Sequence, residues 1–199
     1  MLLLIMPGRA EAQNKQFLPL HERSILVYNS IIDGEDKQFV IRIARFIPDR
    51  VFEWETTAFQ GTVHLYQAAV ESAESLTYGR LFEAGVGYES SDTVTKWLSG
   101  KMYRELLEGR PVKYKLNRLK AEFVLDGREV YQLSLDGEAV EIPAIRVKDS
   151  RKGVWLFQDD PDNPLLLKYV SPYFREELKR VSNSDDNQLR WIKNLPPVH

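Results

Sequence analysis

The side chains suited to acid–base chemistry are few and lie far apart along the chain. There is no cysteine, and there are three histidines, His21, His64 and His199. His64 lies in the strand-like stretch TVHLY, and Glu53 and Glu55 lie two positions apart in VFEWETT, so their carboxylates share one strand face. Paired carboxylates and a histidine can perform general acid–base catalysis. Because Phe52 and Trp54 alternate with the glutamates, the pattern favours an ordinary solvent-facing pair of carboxylates. The position of His64 between Val63 and Leu65 favours an ordinary sheet histidine with a local hydrogen bond.

The densest group of oxygen-bearing side chains is the segment DDPDN, which contains Asp159, Asp160, Asp162 and Asn163. Such a group resembles part of a Ca²⁺ site, since this cation takes six to eight oxygen ligands. The spacing is not that of an EF-hand loop, and Asp-Pro and Asn-Pro pairs are strong turn formers. We therefore favour a turn, keep these aspartates only as weak metal candidates, and expect no cofactor.

Residues 101–120 are locally basic. The candidates for an anion-binding patch are Lys101, Arg104, Lys113 and Lys115, with Arg110, Arg118 and Lys120 nearby. Such a patch suits an anionic headgroup, an acidic glycan or a nucleic acid. Alternation in VKYKL places Lys113 and Lys115 on one strand face, so a merely solvated face is the simpler interpretation.

Common catalytic signatures are absent from the sequence. There is no GxxxxGK[ST], G-x-S-x-G or HExxH motif, and Gly85 and Gly87 before Tyr88 form only a weak glycine loop. The net charge of −2 gives no general attraction to nucleic acid, so we expect no nucleic-acid partner. The lack of cysteine excludes disulfides, thiol nucleophiles and cysteine-based metal sites.

Short strand patterns dominate the chain and must position these candidates. They lie at 25–32, 38–46, 51–57, 62–66, 112–116, 121–125, 129–135, 139–148, 154–158 and 165–170. Turn signals at Asp33-Gly34, Gly127 and Asp136-Gly137 separate several of them. The pattern leaves 67–76 open between helix and strand and 173–181 open between strand and helix. It predicts a return to strand from Leu76 to Phe82 and a loop over 84–92.

One helix is predicted at about 99–108. Ser99 can cap its start, and Gly109 and Pro111 end it. Its apolar face is predicted to carry Met102, Tyr103, Leu106 and Leu107. About ten strands with one short helix and no βαβ alternation predict a mainly β fold. We expect a curved antiparallel sheet, half-barrel or sandwich-like, that the helix covers.

The N-terminus resembles an export signal. In MLLLIMPGRAEA, an apolar run precedes Ala10-Glu11-Ala12, a small-x-small cleavage pattern, although a basic start is missing. We therefore interpret residues 1–12 as a partial signal peptide, 13–182 as one domain and 183–199 as a loose tail. No later stretch has the apolar length of a membrane span, so the mature product is expected to be soluble and periplasmic or secreted.

Part of the chain resembles a known group of proteins. The stretches DGEAVEIPAIRVKD and VWLFQDDPDNPLLL, with WLSGKMYRELLEGRPVKYKL before them, are similar to uncharacterised exported bacterial envelope proteins. The resemblance covers residues 93–170. It implies a curved antiparallel sheet and a periplasmic or envelope-associated location, and it carries no active site.

Three functions are compatible with these features. The first is a non-enzymatic envelope module that binds an apolar, lipid-like ligand or a partner protein. The second is a hydrolase-type enzyme whose site is assembled from distant histidine, glutamate and aspartate residues. The third is a structural or assembly protein that uses sheet edges. The missing catalytic motifs, the export pattern and the many aromatic residues favour the first.

Overall fold

The structure is a computed structural model that describes residues 17–32, 35–77, 87–117, 119–172 and 174–183. The described residues form a mainly β fold with two short helices, which confirms the predicted fold class. The strands are β1 (Ile25–Ile32), β2 (Glu35–Arg45), β3 (Arg50–Glu55), β4 (Gln60–Leu65), β5 (Ser75–Leu76), β6 (Gly87–Ser90), β7 (Thr93–Val94), β8 (Val112–Leu116), β9 (Leu119–Leu135), β10 (Glu138–Asp149), β11 (Val154–Gln158), β12 (Leu166–Val170) and β13 (Phe174–Ser182). The helices are α1 (Gln67–Ser72) and α2 (Gly100–Leu107).

All the described strands belong to one sheet. Their order is β6-β4-β3-β2-β1-β13-β12-β11-β10-β9-β8-β5-β7. Strand β13 pairs with β1 on one edge, and on its other edge it pairs first with β12 and then, through Arg180 and Val181, with β9. The two terminal strands, β6 and β7, are separated by only two residues in the chain. The sheet is therefore curved, because the strands at its two ends, β6 and β7, are joined by the short segment 91–92.

Strands β10, β11 and β12 are covered on both faces. On one face, Ala144 and Leu156 join a cluster of buried side chains from β1 to β4 and β13. On the other face, Ile145, Trp155 and Phe157 join a cluster that includes both helices and β8. Side chains alternate across a strand, so one run of consecutive apolar residues can serve two cores.

Helix α2 begins as predicted. The Ser99 hydroxyl accepts a hydrogen bond from the Met102 amide, which caps the first turn. Met102, Tyr103 and Leu106 are buried, but Leu107 is 37% exposed and does not join that face. The ambiguous segment after residue 66 forms a helix, α1, which packs beside α2.

Two local expectations were wrong. Gly87–Ser90, expected to be a loop, is strand β6 and pairs in parallel with β4, a long-range contact without a local pattern. Gly127, expected to be a turn, lies inside the continuous strand β9. Its φ of +133° coincides with a register shift opposite Arg146 and Val147, so the extra residue is accommodated as a bulge.

The proposed signal segment 1–12 lies outside the described residues, as do the Asp33-Gly34 turn, residues 78–86 and residues 184–199. Asn183, at the start of the expected tail, is held by the Asp136 carboxylate and by the Ser24 hydroxyl. Neither described helix has the length and apolar character that a membrane crossing demands.

Candidate anion-binding cleft

The β8–β9 hairpin separates apolar and basic side chains cleanly. Val112, Tyr114 and Leu116 are buried in the cluster beneath the hairpin, and Tyr114 stacks on Phe123 with 3.9 Å between the ring centroids. Because side chains alternate along a strand, this burial turns the intervening lysines to the outer face. The hydrophobic pattern of VKYKL thus fixes the direction in which its charges point.

The register of the hairpin places two lysines directly opposite each other. Lys115 pairs with Lys120, whereas Lys113 pairs with Glu122. Directly opposed side chains in an antiparallel pair lie close together, so the Lys115–Lys120 pair is repulsive. Lys120 was noted in the sequence only as a neighbour of the patch. The short connection between Leu116 and Leu119 is the signal that identifies it as the partner of Lys115.

These side chains border an open cleft of about 600 Å³. Its charged lining comprises Glu74, Lys113, Lys115, Lys120 and Glu122, and Ser75 and Ser150 lie beside them. Among the described residues, no carboxylate oxygen lies within 4.0 Å of the ammonium group of Lys113, Lys115 or Lys120. The cleft therefore carries positive charge that its own acidic groups do not neutralise by direct contact.

The two other patch candidates lie on helix α2. Lys101 forms an ion pair with Glu74 at the edge of the cleft. The hydrogen bond from Lys101 lowers the pKa of Glu74 and raises that of Lys101. Arg104 is exposed on the helix, with its guanidinium beside Gly100, and does not line the cleft. The structure therefore unites Lys113, Lys115 and Lys120, connects Lys101 through Glu74, and leaves Arg104 apart.

Two aspartates of DDPDN, Asp159 and Asp160, accept side-chain hydrogen bonds from protein groups. Asp159 accepts hydrogen bonds from the Tyr103 hydroxyl at 2.7 Å and from Arg128 Nε at 3.0 Å. Asp160 accepts from the amide of Asp162 at 3.0 Å, and its other oxygen accepts from the Gln158 side chain at 2.9 Å. In the described part of the chain, no group of three or more acidic or histidine side chains is arranged to hold a metal ion.

Asn163, the last member of that segment, is buried. Its side-chain oxygen accepts a hydrogen bond from Trp97 Nε1 at 2.8 Å. The backbone of Trp97 bridges Leu165, and the Leu98 amide donates to the Pro164 carbonyl. These bonds tie the segment that precedes α2 to the segment that precedes β12.

The catalytic candidate His64 lies in a different part of the sheet. Its Nε2 is 2.9 Å from an Asp49 oxygen, and its ring centroid is 4.1 Å from that of Tyr66. The Tyr66 hydroxyl donates to Glu89 at 2.6 Å. The hydrogen bond with His64 is the main cause of the lowered pKa of Asp49. The sequence contains no sign of this role for Asp49, because the Pro48-Asp49 pair predicts only a turn.

The predicted glutamate pair does not join this histidine through any described hydrogen bond. Glu55 forms an ion pair with Arg42 at 2.7 Å, and Glu53 faces Arg42 and Thr62 across the sheet. The Asp159 group shares no bonding partner with His64. The distant residues considered for an assembled enzyme site thus fall into separate clusters.

A buried ion pair was not anticipated from the sequence. Lys96 Nζ lies 2.5 Å from Glu176 Oε2, and the Ser30 hydroxyl donates to the other oxygen of that carboxylate at 3.0 Å. Both charged side chains are at most 4% exposed, and the ammonium lies over the rings of Tyr28 and Phe39. Burial lowers the pKa of Lys96, and the nearby Glu176 opposes this shift.

In comparisons with known proteins, the chain matches no family model and no curated sequence.

Proposed function

We propose that this protein is a non-enzymatic module of the bacterial envelope that binds an anionic ligand or partner in the β8–β9 cleft. The observation that carries the proposal is the opposed pair Lys115–Lys120, with Lys113 beside it, in an open cleft of about 600 Å³. Repulsion between directly opposed like charges is relieved when an anion binds between them.

The packing of the interior favours a binding site on the surface. Buried side chains cover both faces of β10–β12, so a packed core lies on each side of these strands. The sequence is also compatible with an apolar, lipid-like ligand, but this packing does not support such a ligand enclosed by the sheet. The envelope location continues to rest on the export-like N-terminus and on the resemblance over residues 93–170.

A polyanion-affinity experiment tests the cleft. The full chain is expected to be retained on a heparin matrix and to elute at a lower salt concentration when Lys113, Lys115 and Lys120 are replaced by glutamine. Lys37→Gln is the matched control, because Lys37 is an exposed strand lysine that pairs with Glu35 far from the cleft in the strand order. Equal elution of the triple variant and the wild type contradicts the proposal.

Fractionation of expressing cells tests the envelope location. Recovery of the protein from the cytoplasm alone contradicts that location.

The contact between Asp49 and His64 supports a second candidate, an acid–base enzyme. A carboxylate bonded to one ring nitrogen fixes the tautomer and leaves the other nitrogen available as a base. His64 is only partly buried, with 23% of its side chain exposed. Under this candidate, hydrolysis of a chromogenic ester is lost in His64→Gln and Asp49→Asn and retained in His21→Gln. Equal rates in all three variants exclude it.

A further inference from the structure

We infer that the partner of the cleft is the surface of an anionic lipid bilayer, onto which the tip of the β8–β9 hairpin docks. This inference rests on the proposed function and adds the class of partner. Its starting point is that the charges of the cleft and an exposed apolar side chain occur at the same end of one hairpin.

The first step concerns charge. Exposed lysines on other strands have carboxylate partners: Lys37 pairs with Glu35, Lys148 with Asp126 and Lys179 with Glu177. The three lysines of the cleft have no such partner among the described residues. Anionic headgroups attract basic side chains held near the membrane surface, and each contributes additively. The hairpin therefore holds three positive charges without a direct ion pair, although Glu74 and Glu122 also line the cleft.

The second step concerns the apolar side chain. Leu119 is 53% exposed at the first position of β9, next to Lys120 and opposite Leu116. Because side chains alternate along a strand, Leu119 lies on the face of the buried Leu116 and not on the face of Lys115 and Lys120, and it remains exposed at the end of the hairpin. A leucine at the end of a hairpin that carries Lys115 and Lys120 on its other face suits the boundary between headgroups and acyl chains, provided that the hairpin approaches the membrane with its end.

The third step distinguishes a bilayer from nucleic acid. Proteins that bind single strands add aromatic stacking platforms to their basic grooves. Here the aromatic side chains of the hairpin, Tyr114, Phe123 and Tyr131, are all buried, and Tyr114 stacks on Phe123, so these rings are not available for stacking on a base. The exposed side chain beside the lysines is aliphatic, which favours lipid.

Vesicle flotation tests the inference on the full chain. Wild-type protein is expected to float with equimolar phosphatidylglycerol–phosphatidylcholine vesicles and not with pure phosphatidylcholine vesicles. Each lysine changed to glutamine should reduce partitioning about fivefold, so Lys115→Gln combined with Lys120→Gln reduces it about 25-fold. Leu119→Ser should reduce it about fivefold. Raising the salt from about 0.05 M to about 0.5 M should release the protein.

Two controls match the test variants. Lys37→Gln removes an exposed lysine from another part of the sheet, and Val130→Ser removes an apolar side chain that is 54% exposed on the same strand as Leu119. Both should float like the wild type. All the altered positions are exposed, and an unchanged thermal transition verifies that each variant folds.

The outcomes separate this inference from the proposed function. Retention on heparin without flotation on anionic vesicles overturns the bilayer and leaves the cleft as an anion site. Failure of both assays overturns both. Flotation that Leu119→Ser leaves unchanged, while the lysine variants lose it, overturns the insertion of the hairpin tip.

Discussion

The molecule holds lysines in two opposite ways. Lys96 is enclosed in the core and lies 2.5 Å from Glu176, with a further hydrogen bond from Ser30 to the same carboxylate. Lys115 and Lys120 face each other on the surface, and no described carboxylate contacts either ammonium. In the core, a charge without a partner is too costly to retain, because removal from water costs several kcal/mol per ion. On the surface, water screens the repulsion, so an unneutralised charge can remain available for a partner.

The difference teaches which charges specify the fold and which specify function. The Lys96–Glu176 pair joins the segment before α2 to the central strand β13, and these two residues are 80 positions apart. The lysines of the cleft form no ion pair with a described carboxylate, and they lie on adjacent strands that already pair through their backbones. Changes at the two places should therefore affect different measurements.

The largest effect is expected from removing one partner of the buried pair. Glu176→Gln leaves Lys96 without its counter-charge and should lower the free energy of unfolding by about 3–5 kcal/mol. Urea denaturation monitored by tryptophan fluorescence measures the change. Vesicle binding at a temperature where the variant remains folded should be unaffected.

A double variant provides the control for the buried pair. Lys96→Met combined with Glu176→Leu replaces both charges with apolar side chains of similar size, and it should recover most of the lost stability. Equal destabilisation of the single and double variants would contradict the view that the unpaired charge, rather than the changed packing, causes the loss.

A second large effect is expected at the turn before β11, another place where a buried carboxylate is fully bonded. Asp149 accepts hydrogen bonds from the amides of Arg151 and Gly153 and from Trp155 Nε1 at 2.7–2.8 Å. A Cβ at residue 153 would collide with the Asp149 carboxylate and lie 2.9 Å from Trp155 Nε1. Gly153→Ala should cost about 3 kcal/mol, as overpacking and a broken charge-assisted bond add.

Gly87→Ala is the matched control, because no atom lies within 4 Å of the Cβ that it would introduce. Its free energy of unfolding should stay within about 0.5 kcal/mol of the wild type. A loss in Gly153→Ala as small as that in Gly87→Ala would show that the collision at residue 153 is relieved by rearrangement of the turn.

Local patterns predicted the parts of the fold that depend on neighbouring residues. The alternation of VKYKL, the Ser99 cap and the apolar run of β11 all follow from side chains within one element. The parallel pairing of β6 with β4 and the contact of Lys96 with Glu176 depend on chain closure over long separations, for which no local signal exists. The sequence predicted Lys113 and Lys115 as patch residues, but the position of Lys120 opposite Lys115 follows only from the register of the hairpin.

A smaller, pH-dependent effect is expected from Glu177, a carboxylate on β13 that is only 5% exposed. Burial alone would raise the pKa of Glu177, but hydrogen bonds from Lys168, Lys179 and Arg175 prevail and lower it from about 4.5 to about 2. This carboxylate stabilises the fold above its unfolded pKa, and the contribution is lost as the pH falls from about 4.5 to 2. Urea titrations should show Glu177→Gln about 1–2 kcal/mol less stable at pH 7, after allowance for solvent screening, and nearly equal to wild type near pH 2. A difference that is independent of pH contradicts this assignment.

The smallest effect is the most informative about the surface lysines. Lys120→Glu converts a repulsive cross-strand pair into an attractive one and should raise the free energy of unfolding by about 0.3–0.5 kcal/mol. Lys113→Glu places a second carboxylate opposite Glu122 and should lower it by a similar amount. Both variants should nevertheless bind anionic vesicles less well than the wild type, because each removes a lysine from the cleft. If the two variants change the free energy of unfolding in opposite directions but both weaken vesicle binding, Lys120 contributes to binding and lowers the stability of the fold. A destabilised Lys120→Glu variant would contradict the repulsion between Lys115 and Lys120.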